Sequence, residues 1–441
     1  MNRRRAPWRL GDRVSVAFTD LAADGRAVGA VDGYDIHAFG ALPGERCSVR
    51  VDAIDRARPR AHGVVVQVLE ADSMRRAAPC RWHESLSDGD CSGCAWMPWT
   101  TSRQREAMRA HLNALGFPVD EIGVAPEQRD EGLGYRRSSK RVAFIDRGGR
   151  VRLGSYRRRT HRLARMTGCL IDHPSISECA DRLENLLTER RFPVWKPKTE
   201  VGLRYVWFKT NGVQRLITLV TEGLGRGEVE RLVRHWPTDD GVAWCDGAGQ
   251  GNAIRGAQVE LLRGAAELEV TLAGEQVSAG PLGFLQPNPT VAGRCYEALL
   301  ADAHGQQLTG AVAFDLYAGA GLTTRRLQQG FERVFPCESY PESARRLGVE
   351  PMKTALFLTS PPETPVDLVV ANPPRAGLGE EVCERLLSLA PARLHVMSCN
   401  PVTMARDIES LSARFEVVHV EAWATLPQTP HVELVVRMLR K

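Results

Sequence analysis

The 441-residue sequence has no long hydrophobic run. A helix that crosses a membrane needs roughly 18 or more predominantly apolar residues in a row, and no segment approaches that length. The first residues, MNRRRAPWRLGDRV, are basic, but the apolar stretch of a secretory signal peptide does not follow them. These absences argue against a membrane protein and predict a soluble, cytoplasmic protein without a membrane partner.

The sequence also lacks an internal repeat and any long low-complexity segment. Its length is enough for roughly two to four domains. Because no secretory signal accompanies them, its eleven cysteines do not indicate a disulfide scaffold. In a reducing compartment, clustered cysteines indicate metal ligands or catalytic groups instead.

Positive charge is concentrated in one part of the chain. The net charge is only +5, but the segment from Arg136 to Arg165 contains twelve Lys or Arg residues and a single acid, Asp146. A segment this basic is either a solvated face or a site for a polyanion. Because the patch is local and the whole chain is mildly basic, the pattern favours a nucleic-acid footprint.

The strand and helix patterns divide the chain into three predicted domains. Residues 1–70 alternate apolar and polar residues between glycine-rich turns, which predicts a small β-barrel. Residues 71–280 combine a Cys- and Trp-rich segment, a helix from Thr101 to Leu115, and an α+β layer with two basic strands. Residues 281–441 alternate strands with helices, which predicts an α/β domain with a doubly wound parallel sheet and an antiparallel end.

A glycine loop follows the first predicted strand of this last domain, in FDLYAGAGLTT (residues 314–324). Gly319 and Gly321 would let a ligand approach the backbone and the start of the next helix. The spacing lacks the full dinucleotide fingerprint, so it does not favour NAD. Glu338 follows the next strand and is placed to bind ribose hydroxyls, which favours a nucleoside cofactor over an ordinary strand–helix turn.

Two further loops follow later strands of the same sheet. VVANPPRAGL (369–378) places Asn372 and Arg375 after a strand, where an amide can bind a planar base and a guanidinium can bind a phosphate. HVMSCNP (395–401) places Cys399 after the next strand, and HVE follows at 431–433. Cys399 is either a nucleophile or one more buried thiol. Glu433, a possible general base downstream, favours the nucleophile.

Five motifs, taken together and in order, resemble those of the RNA uracil-C5 methyltransferase family. They are FLQPN (284–288), DLYAGAG (315–321), NPPRAG (372–377), SCNP (398–401) and HVE (431–433). The resemblance covers residues 281–441 and implies a Rossmann-like domain that uses S-adenosylmethionine. It also implies that Cys399 adds to C6 of a flipped-out uracil in RNA, that C5 takes the methyl group, and that Glu433 removes the C5 proton.

The resemblance also assigns residues that line the cofactor and base sites, with Arg375 orienting the loop or the RNA. These residues are Gln286, Tyr317, Gly319, Glu338 and Asn372. The sequence departs from the family pattern in two places within this domain. Asn372 stands where the family usually has Asp, and the stretch from Glu338 to Asp367 is short for a full helix.

The amino-terminal part extends the resemblance to RNA binding and a metal centre. Residues 1–70 resemble the family's TRAM domain, an OB-like RNA-binding barrel. Four cysteines resemble the family's iron–sulfur ligands and imply a [4Fe–4S] cluster, with zinc as the alternative metal. They are Cys80, Cys91, Cys94 and Cys169.

The basic strands around residues 135–165 are similar to RNA-binding strands of the family, in which Arg and Lys contact phosphates. The resemblance implies base stacking by Tyr135, Tyr156 and His161. The combination of barrel and cluster is typical of the ribosomal-RNA branch, so we expect 23S rRNA as a partner more than tRNA. We also expect a monomer.

Two other hypotheses stay open at this stage. The chain could be a non-catalytic RNA-binding protein whose cofactor pocket has eroded, which the short stretch after Glu338 suggests. Alternatively, it could methylate a different base position or tRNA, which Asn372 suggests.

Overall fold

The computed structural model describes residues 7–22, 25–55, 57–85, 89–158, 160–247, 258–302, 305–363 and 365–441. Its amino-terminal part is a six-stranded sheet in the order β1-β5-β6-β4-β3-β2. The strands are β1 (Arg13–Ala17), β2 (Asp20–Leu21), β3 (Ala27–Val31), β4 (Tyr34–Phe39), β5 (Arg46–Ile54) and β6 (Arg60–Glu70).

This sheet closes on itself as a barrel. Strand β1 pairs with β5, whereas β2, only two residues further along the chain, pairs with β3 at the opposite end of the strand order. Alternate side chains, such as Val16, Ile36 and Val49, point inward and are fully buried. The predicted small barrel is therefore present, while its assignment as a TRAM domain stays a prediction.

A linking segment connects the barrel to the carboxy-terminal domain. Helix α1 (Thr101–Ala114) begins at Thr100, whose side chain accepts a hydrogen bond from the Arg103 N–H. Its buried face packs in one hydrophobic core with residues of the barrel and of the carboxy-terminal sheet. Strand β7 (Ile122–Gly123) then pairs with that sheet, so this segment of the predicted central domain lies structurally with the carboxy-terminal domain.

The central domain is a seven-stranded sheet in the order β10-β9-β8-β11-β12-β13-β14, and α2 (Pro174–Glu189) and α3 (Arg226–Val233) cover one face of it. A separate hairpin follows it. The strands are β8 (Ser138–Ile145), β9 (Val151–Tyr156), β10 (Leu163–Arg165), β11 (Gly202–Thr210), β12 (Arg215–Glu222), β13 (Gly241–Asp246) and β14 (Glu260–Arg263), and the hairpin is β15 (Leu268–Leu272) with β16 (Glu275–Ala279).

The carboxy-terminal domain is the predicted doubly wound sheet with an antiparallel end. Its strand order is β18-β17-β19-β20-β22-β21-β7, and β18, β17, β19 and β20 run parallel while β22 runs antiparallel to β20. Its strands are β17 (Gly310–Leu316), β18 (Phe331–Cys337), β19 (Leu368–Ala371), β20 (Arg393–Ser398), β21 (Phe415–Trp423) and β22 (Glu433–Arg440). Its helices are α4 (Pro289–Leu299), α5 (Leu322–Leu327), α6 (Pro341–Leu347), α7 (Thr354–Phe357), α8 (Glu380–Leu389) and α9 (Pro401–Leu411).

The short stretch after Glu338 contains two short helices in place of one long one. Helix α6 has 7 residues and α7 has 4, which agrees with the prediction that the stretch lacks room for a full helix. In the described parts of the chain, no helix is both long and apolar enough to cross a membrane.

Candidate active site

The predicted site residues of the carboxy-terminal domain meet at one edge of its sheet. Strands β17, β19 and β20 are parallel, so the loops that follow them leave the sheet at the same edge. Strand β22 begins at this edge because it runs the opposite way, with Leu434 opposite Ser398. This register places Glu433 beside Cys399.

Cys399 is a free, half-buried thiol at this edge. Burial raises its pKa, the neighbouring carboxylate of Glu433 raises the pKa further, and a hydrogen bond and the positive charge of Arg375 lower it. The thiol is therefore protonated in the resting protein, and Arg375 is the cation that stabilises a thiolate when one forms.

Glu433 is suited to proton transfer at neutral pH. Burial raises the pKa of its carboxyl group to about 7, and the nearby Arg375 opposes that rise. General bases are most effective when their pKa lies near the working pH. The structure thus brings together the predicted nucleophile Cys399, the predicted base Glu433 and one cation, Arg375, whose charge acts on both.

The backbone around Arg375 is held by helix α9, which begins two residues after Cys399. The side chains of Asn400 and Thr403 donate hydrogen bonds to the Arg375 carbonyl oxygen at 2.9 and 3.3 Å. Asp407 accepts from the Leu378 N–H at 2.6 Å. The loop containing Arg375 and the helix following Cys399 are therefore one rigid unit.

Gln286 lies on a loop that the central domain holds from outside. The fully buried Lys209 donates from Nζ to the carbonyl oxygens of Gly280, Pro281 and Gly283 at 2.5, 2.8 and 2.6 Å. Burial lowers the pKa of Lys209 to about 7. The Gln286 side chain itself hydrogen-bonds with Tyr296 of α4.

Lys209 was not among the predicted site residues. It sits at the end of the strand RYVWFKT, and the sequence offers no sign that its ammonium group turns toward a loop 71 to 74 residues away.

The glycine loop after β17 adopts an unusual backbone conformation that its neighbours stabilise. Tyr317 has a φ of 61° and Gly319 a φ of 55°, both in the left-handed region. The Gly319 N–H donates to Glu338 Oε2 at 2.8 Å. Asn372 starts the adjacent loop, and its N–H donates to the Leu316 carbonyl at 3.4 Å. The predicted cofactor residues Tyr317, Gly319, Glu338 and Asn372 therefore lie around the carboxyl ends of β17, β18 and β19, where an open α/β sheet has its crevice.

Asp315 is a further residue of this crevice that the sequence analysis did not select. Its carboxylate is buried and accepts hydrogen bonds from the hydroxyl groups of Thr323 and Thr324, both at 2.6 Å. Burial raises its pKa to about 6. Asp315 fixes the strand before the glycine loop to the helix after it, and DLYAGAGLTT contains all three residues.

A cavity of about 260 Å³ opens beside Cys399, on the side of the barrel and α1. The carboxy-terminal domain contributes Arg375, the segment Cys399–Val402 and the segment Pro430–Val432. The opposite wall consists of Leu21, Ala22, Trp96, Met108 and His111. No local sequence pattern indicates this second wall, because it forms only when the barrel packs against the site.

The four predicted metal-ligand cysteines are all free thiols. Three of them, Cys80, Cys94 and Cys169, pack against the same small cluster of buried residues. Burial raises the pKa of Cys94 well above its usual value, and the charges of Cys169, Cys91 and Cys80 raise it further. Across the described ranges, however, no three or more His, Cys, Asp or Glu residues form a group that could hold a metal ion.

The predicted stacking role of Tyr135 is wrong. Its side chain is buried, and its hydroxyl group donates to the Pro427 carbonyl at 3.0 Å, so its ring has no face available for a base. Tyr156 and His161 are exposed and contact each other edge-to-face at 6.4 Å between ring centroids.

The basic segment from Arg136 to Arg165 has structural as well as exposed members. Arg141 is fully buried and pairs with Asp172 at 2.7 Å, and Arg152 pairs with Asp146 and Glu184. Lys140 is exposed, with its Nζ 4.5 Å from the centroid of the Tyr205 ring. The number of basic residues therefore overstates the surface that could contact a polyanion.

Comparisons with known proteins agree with this arrangement. Residues 363–441 match the family model described as tRNA (Uracil-5-)-methyltransferase. A curated, uncharacterized RNA methyltransferase of Geobacter sulfurreducens is 28% identical, over 100% of this chain and 94% of that protein. Another from Halalkalibacterium halodurans is 26% identical, over 99% of this chain and 98% of that protein.

Among solved structures, the fold is similar to that of the Pyrococcus abyssi tRNA (uracil-54, C5)-methyltransferase in complex with S-adenosyl-L-homocysteine. The TM-score is 0.73 at 20% identity, covering 96% of this chain and 99% of that one. The parallel sheet and the crevice at its carboxyl edge define a methyltransferase fold. The carboxy-terminal residues match the uracil-C5 family that the motifs indicated, and the whole chain is similar to curated RNA methyltransferases.

Proposed function

We propose that the chain transfers a methyl group from S-adenosylmethionine to C5 of a uridine in RNA, through a covalent bond between Cys399 and C6 of the base. The observation that carries this proposal is the register of β20 and β22, which sets Glu433 beside Cys399 at the carboxyl edge of the sheet, with the charge of Arg375 acting on both groups. Uracil C5 is a weak nucleophile, so addition of a thiolate at C6 divides one difficult step into easier ones.

The chain's own groups then have defined tasks. Cys399 releases its proton to solvent, the thiolate stabilised by Arg375 bonds to C6, and the electron pair moves toward C5. C5 takes the methyl group that S-adenosylmethionine supplies as an electrophile. Glu433 removes the C5 proton, the C5–C6 double bond re-forms, and the sulfur of Cys399 leaves as thiolate. The net products are 5-methyluridine, S-adenosylhomocysteine and one proton.

The crevice around the glycine loop is the proposed cofactor site. Tyr317, Gly319 and Glu338 lie at the point where the sheet order reverses, which is where open α/β sheets bind ligands. The S-adenosyl-L-homocysteine in the Pyrococcus abyssi structure supports this cofactor class. Gln286 and Asn372 border the same crevice from neighbouring loops, and the Asn372 amide oxygen is suited to accept a hydrogen bond from uracil N3–H.

Ribosomal RNA, in particular 23S rRNA, is the proposed substrate, and tRNA is the second candidate. The ribosomal assignment depends on the barrel and the four cysteines, which resemble that branch of the family. The similarity to the tRNA (Uracil-5-)-methyltransferase family and to the Pyrococcus abyssi tRNA enzyme favours tRNA. Exposed Lys140, Tyr156 and His161 support an RNA-binding surface on the central sheet with either substrate.

We also propose a [4Fe–4S] cluster on Cys80, Cys91, Cys94 and Cys169, with zinc as the second candidate. The packing of three of these thiols into one cluster of residues, and their mutual effect on pKa, support a shared positive partner. The four cysteines would hold such a centre through iron–thiolate bonds, which would tie the segment around Cys80 to that around Cys169. Iron, sulfide and zinc analysis of protein purified without oxygen tests this proposal.

The reaction is tested on RNA from a strain that lacks the gene. Purified protein with S-adenosylmethionine should restore 5-methyluridine, measured by nucleoside mass spectrometry on separated rRNA and tRNA. RNA carrying 5-fluorouridine should form a complex that survives denaturing electrophoresis. Fluorine replaces the C5 proton that the base must remove before the sulfur of Cys399 can leave, so the covalent bond to C6 persists. Cys399→Ala should form none. A complex with that variant, or methylation at another base position, would contradict the proposed chemistry.

A further inference from the structure

The cavity beside Cys399 adjoins the position proposed for the target uracil, but it is not lined by the residues proposed to hold that base. Its walls include Cys399 and Arg375 but none of Gln286, Asn372 or Glu433. It therefore begins at the reactive thiol and extends away from the base-holding loops, toward the barrel and α1. A group that fills it must be joined closely to the target base.

The barrel is fixed in place as a wall of this cavity. Its Gly25 lies so near the loop preceding His431 that a Cβ added there would be 2.5 Å from Cγ of Pro430. The Trp96 indole N–H donates to the Gly25 carbonyl at 3.3 Å. The Gly25 N–H donates to the Ala22 carbonyl at 2.8 Å, so this packing also positions Leu21 and Ala22 in the cavity wall.

The cavity has the chemistry of a nucleotide site. Its far wall is largely apolar, and the half-buried Leu21 and Ala22 are suited to contact the flat face of a base. His111 supplies a polar group in that wall, and burial lowers its pKa, so the ring is neutral near pH 7 and offers one donor and one acceptor. Arg375 at the inner end supplies a positive charge for a phosphate.

We propose that this cavity receives the base of a nucleotide directly adjacent to the target uridine, so that the barrel and α1 read the sequence next to the methylation site. The proposal rests on the proposed function. Only a neighbouring nucleotide is covalently linked to the target closely enough to reach this cavity. The cavity volume of about 260 Å³ equals that of roughly eight to nine water molecules at about 30 Å³ each, which is enough space for one base. Extruding a target base also unstacks its neighbours.

The test is a double-mutant cycle that combines one protein substitution with one change in the RNA and measures kcat/KM. Val402 lines the cavity and its side chain is 44% exposed, so Val402→Trp fills the space without disturbing the core. Val417→Trp is the matched control, because Val417 is 42% exposed on β21 and lies outside the cavity. The substrates are the RNA segment methylated by the wild type, and copies with an abasic site on the 5′ or the 3′ side of the target.

On natural RNA, Val402→Trp should lower kcat/KM about tenfold or more, the range expected for loss of one base contact, whereas Val417→Trp should stay within about twofold of the wild type. With the abasic site at one of the two neighbouring positions, the wild type and Val402→Trp should differ by less than about twofold, because no base remains to be displaced.

Two results would overturn the inference. An equal loss on all three RNAs would mean that the target base itself occupies the cavity, and no loss on any RNA would mean that the cavity holds no part of the substrate. Both results require a wild type that methylates RNA. Failure of the wild type to do so would refute the proposed function instead.

Discussion

Cys399 and the four cysteines between residues 80 and 169 show how neighbours decide what a thiol can do. Cys399 stands alone beside one arginine and one glutamate, at the mouth of a cavity. The charges of three other thiols raise the pKa of Cys94, and the positive charge of Arg136 lowers it only slightly. One isolated thiolate needs a single cation, whereas four thiolates of the proposed metal site would need a partner with more positive charge.

The sharpest test of this comparison removes the isolated thiol. Cys399→Ala should lower kcat by at least about 10,000-fold, because no other group can form the bond to C6. Steady-state methylation of the identified RNA measures the effect. In Cys245→Ala, which removes a fully buried thiol of the central sheet, activity should stay within about twofold and the free energy of unfolding should fall by only about 1 kcal/mol. Equal loss in both variants would mean that Cys399 is no more than a structural thiol.

Substitution of one of the four predicted metal ligands should affect metal content and stability. Cys94→Ser should reduce bound iron and lower the melting temperature by several degrees, because one bond between two distant segments is lost. Metal analysis and calorimetry on protein purified without oxygen measure both effects. Cys337→Ala serves as the control, since Cys337 is buried in β18 outside the group. Unchanged iron content in Cys94→Ser would remove Cys94 from the ligand set.

The pH dependence of the reaction tests whether the charge of Arg375 controls the pKa of Glu433. Glu433 must be deprotonated to act as a base, so kcat should fall as the pH drops below its pKa of about 7. Arg375 lowers the pKa of both Glu433 and Cys399, so Arg375→Gln should move the acidic limb of the profile to higher pH. If the acidic limb moves up by one pH unit, kcat at pH 6 falls about tenfold.

Arg375→Lys, which keeps the positive charge, is the control for this profile and should leave the limb near its original position. A limb that stays fixed in Arg375→Gln, or that moves to lower pH, would show that Arg375 does not act on these groups.

The residues predicted for the active site come together at one edge of the carboxy-terminal sheet because the signals that marked them are local. Each of the loops containing Gly319, Asn372 and Cys399 directly follows an apolar strand, and parallel strands end at a common edge. Glu433 follows from the same logic, since it begins the antiparallel strand beside β20. The doubly wound sheet and the small barrel were predicted on equally regular patterns.

The errors and omissions concern contacts between distant parts of the chain. Tyr135 looked like an RNA contact because basic residues surround it, yet its hydroxyl group bonds to the Pro427 carbonyl, 292 residues away. The cavity wall formed by Leu21 and His111 depends on how the barrel docks, which no local pattern reports. Lys209 also acts over a long separation, on the loop before Gln286.

The smallest effect is expected at Lys209. Its substitution measures how far the central sheet influences the edge of the carboxy-terminal sheet at which Cys399 and Glu433 lie. Lys209→Met keeps the length of the buried chain but removes three hydrogen bonds to the loop before Gln286. We expect kcat to fall about tenfold, or ~1.4 kcal/mol in activation free energy, while RNA affinity stays within about twofold. Lys140→Met, at an exposed lysine of the same sheet, should do the reverse and weaken RNA binding without lowering kcat at saturating RNA. Filter binding and single-turnover methylation separate the two effects. If Lys209→Met weakened RNA binding and left kcat intact, the loop before Gln286 would not depend on the central sheet. The carboxy-terminal domain alone would then position the catalytic groups.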